Sequence, residues 1–172
     1  MAPGAEIDRE FLRCRRSALH LEMRDAYMLD DPNYHAWQGG RRPDPDDRTS
    51  WWRPWLQTIM DTVERGGEVR RARIVSEPAS DYIRYEYDLT FSNVSAGEQV
   101  RWLPRRQATD LALPGNDFWL FDDERLLINH FSGNGDWIDV ERIDDPDVIK
   151  MCAEAFEAVW QRAIPSNVYP RT

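Results

Sequence analysis

The run Val69-Arg70-Arg71-Ala72-Arg73-Ile74-Val75, then Ser80-Asp81-Tyr82-Ile83-Arg84-Tyr85-Glu86, then Val100-Arg101-Trp102-Leu103, decides the fold. The two outer runs are short, β-branched or aromatic, and bounded by Gly or Pro, as buried strands are. The segment between them is long enough for a helix, so the three read as a β-α-β unit. Asp117-Phe118-Trp119-Leu120-Phe121-Asp122-Asp123 adds a further strand with a turn at its end.

Working outward, Ile7, Phe11 and Cys14 fall at helical spacing, and Ala18-Leu19-His20-Leu21-Glu22-Met23 alternates like a half-buried strand. The pattern then fails. Residues 24–50 are rich in Pro, Gly and Asp and read as one long loop, with Tyr27, Tyr34 and Trp37 docking part of it on the body. Thr49 or Ser50 is the expected N-cap of a helix from about Trp51 to Arg65, which Gly66-Gly67 ends. Its stripe of Trp52, Trp55, Leu56, Ile59, Met60 and Val63 is the kind that packs on a sheet. Leu126 to Phe131 and Trp137 to Ile143 read as hairpin strands. Asp144 or Asp145 caps a last helix with Pro146 in its first turn.

A chain of 172 residues suits one core, so residues 1–172 are expected to form a single α/β domain: a mixed sheet of about five to seven strands with helices packed on its faces. With 31 acidic against 22 basic residues the net charge is −9, which argues against direct nucleic-acid binding. No apolar run reaches the roughly 20 residues that span a bilayer, and Met1 to Asp8 lacks the features of an export signal. A cytoplasmic protein with no membrane partner is the expectation. Cys14 and Cys152 are then reduced, buried thiols, and neither has metal-ligand spacing to another Cys or His. No cofactor and no metal are expected.

Several residues invite chemistry. On a strand, Arg71 and Arg73 share one face and Arg70 takes the other, so the pair could grip an anion. Charge protection of an edge strand, or pairing with nearby acids, is the stronger reading. Ser80 and Asp81 put a helix N-terminus at the carboxyl end of a strand, where open α/β sheets bind ligands. The expected binding surface is therefore a strand-end crevice near Ser80, Asp81 and Arg84, flanked by Arg73 and Arg101 and covered by the 24–50 loop with Trp37 or Tyr34. On this reading Arg84→Ala abolishes capture without moving the melting temperature. Asp117, Asp122 and Asp123 could hold magnesium at strand ends, although Asp122-Asp123-Glu124 reads better as a hairpin turn. His130 has no Ser or Cys nucleophile near it in sequence, and no phosphate-binding glycine loop is present.

The runs Val75-Ser76-Glu77-Pro78, Ser80 to Glu86, Val100 to Arg105, Asp117 to Asp123 and Ala155 to Ala163 together resemble an uncharacterised actinobacterial family of unknown function. The resemblance covers nearly the whole chain. It implies neighbours more than an activity, since such proteins are often encoded beside helix-turn-helix regulators, and it carries over no catalytic residue. The order of elements is more distantly similar to one half of a phospholipase-D-like domain, where a strand bearing His-x-Lys runs to an Asp seven residues after the His. With Asp122 as that Asp, the His and Lys places hold Gly115 and Asp117; with Asp123 they hold Asn116 and Phe118. Neither register supplies the reacting groups, so the resemblance implies the fold and not the reaction.

The function expected is a non-enzymatic accessory protein that binds a regulatory partner, such as a helix-turn-helix protein, or a small anionic ligand. The rival is a small hydrolase or nucleotide-processing enzyme using Asp117, Asp122 or His130.

Overall fold

The computed structural model describes residues 4–170. In chain order the elements are α1 (Gly4–Arg13), β1 (Ser17–Glu22), α2 (Pro32–Gln38), α3 (Pro54–Glu64), β2 (Glu68–Val75), α4 (Asp81–Ser95), β3 (Gln99–Pro104), β4 (Phe118–Phe121), β5 (Arg125–Phe131), β6 (Trp137–Ile143), α5 (Pro146–Arg162) and β7 (Ile164–Pro165). One mixed sheet runs β6-β5-β4-β1-β2-β3-β7. Strands β1, β2 and β3 are parallel and form its centre, while β4, β5, β6 and β7 join antiparallel. This is the expected α/β architecture.

The alternation of side chains divides the sheet into two faces. Leu19, Leu21, Ala72, Ile74, Leu103 and Leu120 point to α5, where Cys152, Phe156, Val159 and Trp160 cover them. Ala18, Val69, Trp119 and Phe121 point the other way, under Ile7 and Phe11 of α1 and Leu56 and Ile59 of α3. Val75, Val100 and Trp102 continue that face beneath Ile83, Tyr87 and Leu89 of α4. Cys14 and Cys152 are free and buried in cores on opposite faces, so no disulfide can join them. Among the described residues no helix is long and apolar enough to cross a membrane.

Three expectations need correcting. The 24–50 segment is not one loop. Asp31 accepts a hydrogen bond from Asn33 N and Pro32 takes the first turn, so an N-cap and N1 pair that reads as a turn starts α2. Tyr34 of that helix is buried against Tyr82 and Tyr85 of α4. Next, α3 begins at Pro54 with Arg53 at the N-cap; Asp47 instead caps a separate 3-10 turn, Arg48–Ser50. Finally, β2 lies between β1 and β3 and is not an edge strand, so its arginines protect no edge.

Candidate functional site

The parallel register places charges side by side at the middle of the sheet. On the face toward α3 and α4, His20 lies opposite Arg71 on one side and Trp119 on the other, and Glu22 lies opposite Arg73. The sequence patterns His20-Leu21-Glu22 and Arg71-Ala72-Arg73 are therefore complementary: each sends its apolar middle residue to α5 and its ionic pair to this face. Beside them, Asn129 N donates to the Asp117 carbonyl, which extends the same row toward β5.

The ion pairs close on one another. Arg71 Nη1 is 2.6 Å from Glu22 Oε1, and Arg71 Nε is 2.7 Å from Glu98 Oε1. Arg73 Nη1 reaches Glu86 Oε2 at 2.7 Å; its Nε lies 3.0 Å from Glu22 Oε2, close enough to attract but poorly angled for a hydrogen bond. His20 has both ring nitrogens occupied, Nδ1 at 2.8 Å from the Phe118 carbonyl and Nε2 at 3.0 Å from Glu22 Oε1. Its ring stacks on Trp119 with centroids 4.1 Å apart. Three carboxylates thus face two guanidiniums, with the His20 ring beside them.

Burial opposes ionising Glu22, but Arg73, then Arg71, then His20 outweigh it and hold the carboxyl well below the usual range. Burial likewise opposes charge on Arg71 and Arg73, and their carboxylate partners overcome it and raise both. Asp117 differs. Burial dominates there and lifts its carboxyl above the ordinary value, despite the hydrogen bonds donated by Tyr27 and by Met23 N. Burial also raises the Tyr27 hydroxyl, with the Asp117 charge adding to it.

Above this floor is a cavity of about 290 Å³. Tyr82 and Glu86 of α4, Trp55 of α3, Phe131 of β5 and Trp137 of β6 form its walls, and the half-exposed Met28 stands at its edge. Besides Glu22 Oε2 and Arg73 Nε, which face each other, Asn129 Oδ1 and Trp137 Nε1 of the lining are buried and have no hydrogen-bond partner among the described residues. A buried acceptor and a buried donor left without partners are costly unless something else meets them. Arg53 and Leu89 line both this cavity and a smaller hollow of about 140 Å³ beside α2.

The crevice expected at the strand ends is not assembled. Ser80 is the N-cap of α4, accepting from Ile83 N, and its hydroxyl donates to the Asp25 carbonyl. Asp25 accepts from Ser76 N and Oγ, and Arg105 Nε donates to Ser76 Oγ, so the chain's own side chains occupy that strand end. Asp81 and Arg84 are exposed and pair with each other at 3.4 Å. Arg101 lies on the opposite face from Arg73, donating to the Trp160 carbonyl of α5. Trp37 lines the smaller hollow and donates to Asp88. Of the six residues expected to bind, only Arg73 reaches the cavity.

The rival's residues also lie apart. Asp122 is at the amino end of β1, where it accepts from the N–H groups of Arg15, Arg16 and Ser17 and from Arg125. It and Asp123 take positive φ in the hairpin turn from β4 to β5. His130 is paired with Glu141 on the outer strands, and only Asp117 lines the cavity. Among the described residues no group of three or more His, Cys, Asp or Glu is placed to hold a metal.

Residues 5–171 match the profile of a family described as a domain of unknown function, DUF6879. No curated protein matches the sequence. Among solved structures, Nuc from Salmonella typhimurium, a phospholipase D family member, superposes with a TM-score of 0.53 at 9% identity, over 94% of this chain and 88% of that one. NucT from Helicobacter pylori gives 0.53 at 10% identity, over 94% and 89%. TrmBL2, an archaeal chromatin protein, gives 0.50 at 10% identity; 94% of this chain is covered but only 49% of that one, so the chain spans about half its length. At these identities the likeness is one of fold, and it is a phospholipase-D-like fold.

Proposed function

This chain belongs to the DUF6879 family, and from its geometry we infer a binding module that holds a small, uncharged or zwitterionic polar ligand in the sheet-face cavity and passes on its occupancy to a regulatory partner. The observation that carries this reading is the closed ionic floor: Arg71 and Arg73 each already hold two carboxylates. An added anion there would compete with Glu22, Glu86 and Glu98, so the anionic ligand expected from sequence gives way to a neutral one. Asn129 Oδ1 and Trp137 Nε1 offer an acceptor and a donor, and the aromatic walls offer ring faces. Binding is favoured over turnover because both His20 nitrogens are engaged within the floor, Nδ1 with the Phe118 carbonyl and Nε2 with Glu22.

The test is a thermal-shift panel of nucleosides, sugars and amino acids on the wild type and on Met28→Trp, which enlarges a partly exposed lining side chain. At least one compound is expected to raise the wild-type melting temperature and to leave the variant unmoved. A panel without effect, or one acting equally on both proteins, contradicts the reading.

One observation favours a second reading. Asp117 lines the cavity with its carboxyl raised by burial, the direction that favours a proton donor. A hydrolase of this kind would turn over a chromogenic phosphodiester and lose turnover in Asp117→Asn; no turnover by the wild type removes it.

A further inference from the structure

The smaller hollow differs from the cavity in one decisive respect: its arginines are not neutralised. Arg41 and Arg53 both line it, and neither makes an ion pair among the described residues. Arg53 lies beside the Tyr85 hydroxyl, and Arg41 is exposed at the rim. Asp31, whose charge reaches the Tyr85 hydroxyl, accepts from Asn33 N, and other acids nearby have partners of their own. Asp44 accepts from Asp46 N, Asp47 accepts from Thr49, and Asp88 is held by Trp37 and Arg42.

Around these two cations stand the rings of Trp37, Trp51 and Trp52. Arg42 and Arg48 stack on Trp37 and Trp52, with Cζ 4.5 Å and 3.6 Å from the ring centroids; Arg42 is paired with Asp88, so only Arg48 brings further positive charge near the hollow. Trp51 is nine-tenths buried, and its Nε1 has no hydrogen-bond partner among the described residues. The amino end of α3 opens here too: Arg53 is its N-cap, and no side chain caps its first N–H groups. Unpaired guanidiniums, indole rings, an unmet indole N–H and an uncapped helix end all suit the same kind of guest.

We propose that the hollow between α2, residues 39–53 and α4 binds a small aromatic anion, its ring against the indoles and its carboxylate or phosphate on Arg41 and Arg53. The site is separate from the cavity, although Arg53 and Leu89 border both. Adenosine monophosphate represents a phosphate source and indole-3-carboxylate a carboxylate source.

Isothermal titration of the full chain with these two probes tests the proposal, with adenosine and inorganic phosphate as partial ligands. One or both aromatic anions should bind saturably, and each partial ligand should bind about tenfold more weakly. The tighter of the two anions identifies the source. Arg41→Ala, at an exposed position that leaves the fold intact, should weaken the anion about tenfold and leave the cavity panel unchanged. Met28→Trp should leave the anion unchanged. No saturable binding, equal binding by adenosine, or an unaffected Arg41→Ala overturns the proposal. Binding lost in Met28→Trp and kept in Arg41→Ala also overturns it, and places the probe in the large cavity.

Discussion

Glu22 meets two guanidiniums and an imidazole with one carboxylate, since Arg71, Arg73 and His20 all converge on it at 2.6 to 3.0 Å while its side chain is almost wholly out of water. Such a group contributes little net stability when intact, because desolvation offsets attraction, but its removal leaves buried cations uncompensated. Glu22→Gln should therefore lower unfolding free energy in urea by about 3–5 kcal/mol. A loss below about 1 kcal/mol, the scale of one ordinary hydrogen bond, would mean that the floor is far more hydrated than its burial indicates. At the same scale, Arg84 is a surface residue paired only with exposed Asp81. Arg84→Ala should change stability by less than about 0.5 kcal/mol and leave ligand binding intact. This is the opposite of the outcome expected from sequence, and the measurement decides between them.

The β4–β5 hairpin and the α1–β1 connection are fastened by Asp122, which makes acid stability a property of these elements. Burial opposes its charge, yet the N–H groups of Arg16, Ser17 and Arg15 together with Arg125 hold its pKa down at about 2, below the ordinary 3.8. The unfolded chain thus binds the proton more readily, and the stabilisation is present above the ordinary value and lost as pH falls from about 4 through about 2. Acid unfolding of the wild type should show a decline in that window, which Asp122→Asn should lack while being less stable at neutral pH. Equal slopes would contradict this role. Most elements were legible from side-chain period and caps: Ser80 before Asp81, and Asp145 before Pro146, mark helix starts that the structure keeps. α2 was hidden because Asp31-Pro32 serves turns and helix starts alike, and its burial depends on Tyr82 and Tyr85 from another element. The two-residue β7 carries no periodic signal at all.

At the scale of the whole molecule, the cavity arises because the two adjacent parallel strands β1 and β2 bring His20, Glu22, Arg71 and Arg73 to one face that α3, α4 and the edge of β6 only partly fill. That convergence was only half legible. Alternation put Arg71 and Arg73 on one face, but Glu22, Glu86 and Glu98 come from β1, α4 and the α4–β3 turn, whose proximity no local pattern encodes. The complementary His-x-Glu and Arg-x-Arg strands were the available signal, since adjacent parallel strands place such patterns in register. The strand-end crevice failed because Asp25 and Arg105, from segments remote in sequence, close it. The most direct test of the central claim is native mass spectrometry of the protein purified from its own host, wild type beside Met28→Trp. A small-molecule adduct on the wild type that is absent from the variant is the predicted result; an adduct-free wild type, or an adduct kept equally by both, would contradict the cavity as the binding site.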